Sequence, residues 1–551
     1  MYSHFAKSIN KFRRIGMEKK LVPGLLADEV QEKYELMPDF PVLTFENGKY
    51  SDEVITYKDL YLKSLRLAKR LEDLGLKKGD RFSIIMRNHP EVVYSIIAAS
   101  MTGIVAVPID PRGNPDRLRF QIVNTESKAL LFSNEFFENV KKAIENIDIK
   151  VIGIVYKEGF LEPKRDEYPD VDEILDKEAI PELSHRNKEI NIPLEVMYTS
   201  GTTGDPKGVV IKGDRMFGFK MIAQKIWQYT LKDKLYTGLS LTHGNAQAFT
   251  TIPAILLGIP AVISRKFTKS RIWDICRYYG CTTFFLLGGM MMGIYSEPKR
   301  PSDKHNPVRV VLSAGTPRSI WREFEERFDV KIHEAYGALE GGFAHNPPGV
   351  GPVGSFGKPP DFMEMMVVRE DGTPCEPYEI GEIICRPAGG VAEVEYLKNP
   401  EASKKKTLGG WLRTGDMGHV DEDGWFYFDF RKGGGLRRQG EFIQPEYIEK
   451  VLAELEEIED VCVYGIPSES GAPGEVDLVA AVTLYEGCVF DAKKVFSELK
   501  SRLENNQIPS YIQVVDEIPK TPSQRNLDRL LKEQFSKDAE NVYSYAQYKK
   551  M

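Results

Sequence analysis

Cysteine is scarce in this 551-residue chain. The thiols are Cys276, Cys281, Cys375, Cys385, Cys462 and Cys488, with no CxxC pair and no histidine at metal-ligand spacing beside them. That excludes a disulfide scaffold and points to reduced, structural thiols in a cytoplasmic protein. Long apolar runs are also missing: none approaches the about 18 residues a membrane span needs. Positive charge is in deficit, 74 Lys and Arg against 81 Asp and Glu, for a net −7. A nucleic acid would be repelled on average, so nucleic-acid binding is not the expected business, while a local basic patch for a small anion stays open. Internal repeats and low-complexity tracts are lacking. The first residues carry Lys7, Lys11, Arg13 and Arg14 before any acid. With no cleavage pattern after them, they read as a surface helix or ragged arm rather than a transit peptide.

What is present is an ordinary globular composition, 42% apolar and 28% charged, at a length that implies more than one domain. Tyr61–Leu74 has an amphipathic helical stripe (Leu62, Leu65, Leu71, Leu74) that stops at Gly75. Phe82–Met86 reads as a strand, Glu91–Met101 as a helix, Val105–Pro108 as a strand, Pro115–Asn124 as a helix and Ala129–Phe132 as a strand. Strands alternating with helices predict βαβ units and a mostly parallel sheet, an α/β fold. After the aromatic strand Trp425–Phe430, the run Gly433-Gly434-Gly435 reads as a joint. It separates a large N-terminal domain, 1–430, from a smaller, mobile α+β domain, 431–551, with a hinge near Gly433. The small domain is expected to hold a helix over Pro445–Ile458, strands over Val461–Ile466 and Asp477–Leu484, and a helix over Asp491–Glu504.

The strongest chemical signal is Tyr198-Thr199-Ser200-Gly201-Thr202-Thr203-Gly204-Asp205-Pro206-Lys207-Gly208, directly after the apolar strand Leu194–Met197. Glycines let backbone approach a phosphate closely, hydroxyls and backbone N–H groups donate to its oxygens, and Lys207 adds charge. It is not a Walker A loop, since GxxxxGK[ST] is absent. Further on come Ser313-Ala314-Gly315-Thr316-Pro317 after the strand Val308–Leu312, Glu334-Ala335-Tyr336-Gly337-Ala338-Leu339-Glu340, Trp411-Leu412-Arg413-Thr414-Gly415-Asp416, and Arg431.

These motifs, in this order, resemble those of the acyl-adenylate-forming superfamily of acyl-CoA synthetases, peptide-synthetase adenylation domains and luciferases. The resemblance covers nearly the whole chain. It implies an AMP-forming carboxylic acid:CoA ligase that uses ATP, Mg²⁺ and CoA on a small-molecule carboxylic acid. Tyr336 would then stack on adenine, with Ala314, Gly315, Thr316 and Gly337 beside the nucleotide. Asp416 would take the ribose hydroxyls, Arg431 would reach the nucleotide, and Glu340 would bind Mg²⁺. His243, in Leu241-Thr242-His243-Gly244-Asn245, would line the acyl site, and this stretch looks most like the carnitine-CoA ligase-like branch. Arg437, Arg438 and Gly440 resemble the small-domain loop that serves CoA. A homodimer is compatible with this family.

The chain departs from the family's pattern in three places, one of them the hinge, where Gly433 stands for the usual Lys or Asp. The family's final PKTxxGK reads Pro519-Lys520-Thr521-Pro522-Ser523-Gln524-Arg525, so the catalytic lysine becomes Arg525: charge is kept but shape is not. Leu339 stands where a hydroxyl residue is usual. A reaction run mainly in reverse, making ATP from acyl-CoA, AMP and pyrophosphate, stays open, since such a reaction is reversible. Leu339, Gln524 and Arg525 also leave open a binder without turnover. Phe284-Phe285-Leu286-Leu287-Gly288-Gly289-Met290-Met291-Met292 is expected to wall the acyl pocket. Its glycines would leave space there and its methionines would adapt, for a small or medium, largely apolar acid; core packing explains the string equally well.

Overall fold

The computed structural model describes residues 23–548, apart from 158, 161–167, 199–205, 433–435, 439–440, 444, 468–475, 504, 522–523 and 525. The large domain is α/β and rests on two parallel-rich sheets. In one, the strands Arg81–Ile85, Val105–Ile109, Ala129–Ser133, Lys150–Val155 and Pro193–Tyr198 run parallel, and Gly208–Lys212 closes the edge antiparallel. In the other, Lys331–Ala338, Val310–Ala314, Thr283–Leu287, Leu235–Thr237, Ala261–Ser264 and Pro41–Glu46 run parallel between two antiparallel edge strands. Strands buried on both faces read as continuous apolar runs, which is why Thr283–Leu287 shows no alternation.

The predicted elements are present with shifted ends. The helix read from Tyr61 begins at Tyr57, where Thr56 and Asp59 form a reciprocal capping box. The helix Pro90–Thr102 is buried along its whole length between the two sheets. A third, antiparallel sheet joins Met363–Val368, Gly381–Pro387, Leu412–Val420 and Phe426–Arg431.

The small domain is α+β. The strands Ile458–Pro467, Val476–Leu484, Tyr511–Val514 and Val542–Ser544 form one sheet, packed by the helices Pro445–Ala453 and Ala492–Arg502. The helix predicted to reach Ile458 ends at Ala453, because the chain turns at Leu455 to enter the first strand. The domain meets the large one along the helices Gly288–Ser296 and Trp321–Phe328. Lys450 Nζ lies 2.6 Å from Glu323 Oε1, and Tyr485 Oη donates to the Ser296 carbonyl at 3.4 Å. Among the described residues, no helix is long and apolar enough to cross a membrane. Cys276, Cys281, Cys385 and Cys462 are buried free thiols.

Candidate active site

A cavity of about 980 Å³ opens where the three sheets of the large domain converge. It lies outside the carboxyl ends of parallel strands, where open α/β sheets present binding crevices. Among the described residues its wall carries Arg117, Lys207, Arg215, Lys398, Lys406, Arg431 and Lys432 against the carboxylates Asp110 and Glu340. A chain of net negative charge therefore gathers cations here, as a polyanionic ligand requires.

One end of the cavity is built from three crossing elements. Tyr336 comes from the strand Lys331–Ala338. Its ring stacks on Phe356 at 4.4 Å, and its hydroxyl donates to Asp416 Oδ2 at 2.7 Å. Asp416, on the strand Leu412–Val420, also accepts from Arg431 Nε at 2.8 Å. The register explains this convergence, since Asp416 sits directly opposite Arg431 in the antiparallel ladder. Burial, then the Asp416 charge, pushes the Tyr336 phenol well above its ordinary range, so it remains a donor.

Ala314, Gly315 and Thr316 form the turn after the strand Val310–Ala314, with Gly315 at φ +78°. A buried carboxylate braces the turn. Glu334 accepts from Gly315 N at 2.6 Å, from Thr316 N at 3.1 Å and from the Thr316 hydroxyl. Burial raises the Glu334 carboxyl to about 7, although these bonds pull it down. Gly337 faces the same cavity.

Elsewhere on the wall, Glu340 Oε1 accepts from Tyr396 Oη at 2.8 Å, and Lys207 Nζ lies 5.3 Å above the Tyr396 ring centroid. Among the described residues no group of three or more metal-ligating side chains forms. A carboxylate such as Glu340 on a cationic wall fits Mg²⁺, which keeps waters and substrate phosphates as its other ligands. Thr199, Ser200, Gly201, Thr202, Thr203 and Gly204 lie outside the described residues; the flanking Tyr198, Pro206, Lys207 and Gly208 line the cavity.

At the opposite end the wall is apolar: Phe219, Ile222, Ala248, Phe249, Phe285 and Leu287. His243 also lines the cavity. Its Nδ1 accepts from Asn245 N at 3.2 Å, so the neutral ring carries its proton on Nε2. Leu339 turns toward this segment: a Cβ on Gly244 would fall 2.9 Å from Leu339 Cδ1.

The expectation that Gly288 and Gly289 leave space for an acyl chain is corrected. A Cβ on Gly288 would sit 2.1 Å from the Gly315 carbonyl oxygen, and one on Gly289 would sit 3.1 Å from the Gln524 carbonyl oxygen. The first glycine admits the Gly315 turn and the second admits the Gln524 backbone of the small domain. Met290, Met291 and Met292 are buried in the core.

The Gln524 carbonyl lies against Gly289; Arg525 and Gly433 lie outside the described residues, as does Gly440. Arg438 is not brought to the cavity. Its guanidinium donates to the Asn506 and Ile508 carbonyls and, at 3.0 Å, to Ser510 Oγ, all within the small domain. Arg437 pairs through its backbone with Phe442, and its side chain lies outside the described residues.

Sequence reasoning missed Tyr396, Glu334, Phe356 and Arg215 as parts of the site. Glu334 and Tyr336 share a strand two residues apart, a signal that was readable. Tyr396 and Phe356 act through contacts that no local spacing announces.

Comparison with known proteins agrees with this geometry. The AMP-binding enzyme family profile matches residues 30–393, and the AMP-binding enzyme C-terminal domain profile matches residues 447–525. Long-chain fatty acid transport protein 2 of Rattus norvegicus is 27% identical over 524 residues, covering 88% of this chain and 82% of the relative. Crotonobetaine/carnitine–CoA ligase of Salmonella typhimurium is 26% identical over 511 residues, covering 90% and 96%. Among solved structures, o-succinylbenzoate coenzyme A synthetase from Bacillus subtilis in complex with ATP and magnesium ion superimposes with a TM-score of 0.73. It is 25% identical and covers 92% of this chain and 99% of that one.

Proposed function

The chain belongs to the AMP-binding enzyme family, and on that premise we propose that it is an AMP-forming carboxylic acid:CoA ligase. It activates a carboxylate with ATP to acyl-AMP and pyrophosphate, then transfers the acyl group to CoA. The observation that carries this reading is one cavity whose wall is cationic and carboxylate-bearing in one part and aromatic in another, with His243 in its lining. Such a cavity can hold a triphosphate and an acid with their reacting atoms in contact, which removes most of the entropic barrier.

In the first step a carboxylate oxygen attacks the α-phosphorus in line and pyrophosphate leaves. Tyr336, Asp416 and Arg431 hold the nucleoside, while the Thr199–Lys207 loop takes the phosphates. Glu340 would hold Mg²⁺, which supplies charge neutralisation on the phosphate oxygens. His243 presents Nε2–H toward the reacting carboxylate. Arg525 bridges carboxylate and phosphate, a role supported by the Gln524 carbonyl against Gly289.

In the second step the small domain, 431–551, turns about Gly433, removes Arg525, and brings Arg437, Arg438 and Gly440 to the site for CoA. The bonds that hold Arg438 within its own domain fit a molecule poised for the first step. The aromatic end favours a largely apolar acid. Free, sparse cysteines support a cytoplasmic location. A homodimer completes the reading, and light scattering tests it against the 62.5 kDa of one chain.

The deciding experiment incubates the protein with ATP, Mg²⁺, CoA and a panel of carboxylic acids, and follows AMP and acyl-CoA by mass spectrometry. AMP together with the matching acyl-CoA from one acid is expected. Bound ATP with no AMP from any acid would overturn the reading.

A further inference from the structure

The helix Asp214–Lys225 lays one stripe along the cavity: Arg215, Gly218, Phe219 and Ile222, at helical spacing. Its far positions are apolar and meet the aromatic end. Its first is a guanidinium. Among the described residues Arg215 makes neither hydrogen bond nor ion pair, although it is largely shielded from water. Burial opposes its charge, and Glu340, then Asp214, ease it. Its place in the first turn adds to the cost, because the partial positive charge of a helix N-terminus disfavours a cation. A guanidinium in a cavity with five donors unused is a receptor awaiting an anion. The anion that must lie beside Glu340 in the proposed ligase is the β,γ half of ATP.

We propose that Arg215 binds the pyrophosphate oxygens of ATP, as a second phosphate cation complementing Lys207. The inference rests on the ligase reading and deepens it. As the carboxylate oxygen bonds to the α-phosphorus, the bond from the α-phosphorus to the bridging oxygen breaks. Its electron pair stays on the departing pyrophosphate. Arg215 remains protonated throughout and stabilises that growing charge, which no neutral side chain at this position could do.

The test uses Arg215→Met and Arg215→Lys in the full chain, with thermal unfolding as the check on folding. Pyrophosphate is first titrated calorimetrically into each protein with Mg²⁺ present; this needs no acid. Acid-dependent ATP–pyrophosphate exchange and acyl transfer from supplied acyl-AMP to CoA are then measured separately. For Arg215→Met, weaker pyrophosphate binding and a roughly 10²–10³-fold slower exchange are expected. Transfer from acyl-AMP to CoA should be unchanged, and Arg215→Lys should recover part of the loss. Unchanged pyrophosphate binding with a raised KM for the acid would overturn the proposal and make Arg215 an acid-reading residue. Equal loss in both half-reactions would overturn it in favour of a structural role. If the wild type binds pyrophosphate through Arg215 yet activates no acid, the ligase reading falls and this assignment stands.

Discussion

Asp416 holds two partners at once, and that makes a definite prediction about nucleotide affinity. Its carboxylate takes Tyr336 Oη at 2.7 Å and Arg431 Nε at 2.8 Å from a nearly buried position. A hydrogen bond to a charged group is worth about 1.5–3 kcal/mol. The Arg431 pair is discounted, because that side chain is 47% exposed. Tyr336→Phe keeps the ring, which Phe356 still supports at 4.4 Å, and removes only the hydroxyl. AMP binding should weaken by roughly fivefold, about 1 kcal/mol. Asp416→Ala releases both partners and removes the acceptor expected to meet the ribose. Its effect should reach about 2–4 kcal/mol, or roughly 30- to 10³-fold in Kd. The informative protein is the double variant. With Asp416 gone the Tyr336 hydroxyl has lost its acceptor, so adding Tyr336→Phe should cost nothing more. Calorimetric titration of AMP into the four proteins measures the coupling, which should equal the whole effect of the single Tyr336 change. Additive losses would show that the hydroxyl does not act through Asp416 and would refute the arrangement argued here.

Three further outcomes follow from contacts. Gly289→Ala places a Cβ 3.1 Å from the Gln524 carbonyl and should displace the turn that precedes Arg525. Adenylation should slow several-fold while CoA transfer from supplied acyl-AMP persists, and equal loss of both half-reactions would contradict this. Gly244→Ala drives a Cβ to 2.9 Å from Leu339 Cδ1, so it should lower kcat on its own, and Leu339→Thr should restore it in the double variant. A double variant no better than Gly244→Ala would mean the two side chains do not compete for that space. Glu195 is buried beside Gln247, with Oε2 lacking a hydrogen-bond partner among the described residues, and burial raises its carboxyl to about 7. Unfolded chains release this proton near pH 4.5 and the folded protein keeps it to about 7, so stability falls as pH rises through that window. Glu195→Gln should flatten the fall by about 3 kcal/mol, seen as unfolding temperatures that match wild type near pH 5 and exceed it at pH 8. Parallel profiles would exclude Glu195 as the cause.

The parts of the molecule that were legible in the sequence are those whose causes are local. Helix periodicity placed Pro115–Asn124 to the residue, because Asn114 caps it and Pro115 opens it. Elements bounded by tertiary contacts moved: the helix ending at Ala453 stops for a strand whose partner lies in Val476–Leu484. The site divides the same way. Tyr336, Asp416 and Arg431 were visible as motif residues, but their mutual bonding depends on an antiparallel register that spacing alone does not give. Arg215 was invisible because its meaning lies in what it fails to touch, a property of the folded cavity. The glycines are the sharpest case. Gly288 and Gly289 announced that something must come close, and in sequence a ligand and a backbone make the same demand; only the positions of Gly315 and Gln524 decide for backbone. Leu339 teaches the converse. Read alone it is a missing hydroxyl, a defect in a phosphate site. Beside Gly244 it is a side chain packed on a bare backbone, in space that a Cβ at 244 would contest. A departure from a motif is therefore judged against the residue it packs on, and here that residue lies 95 positions away in the chain.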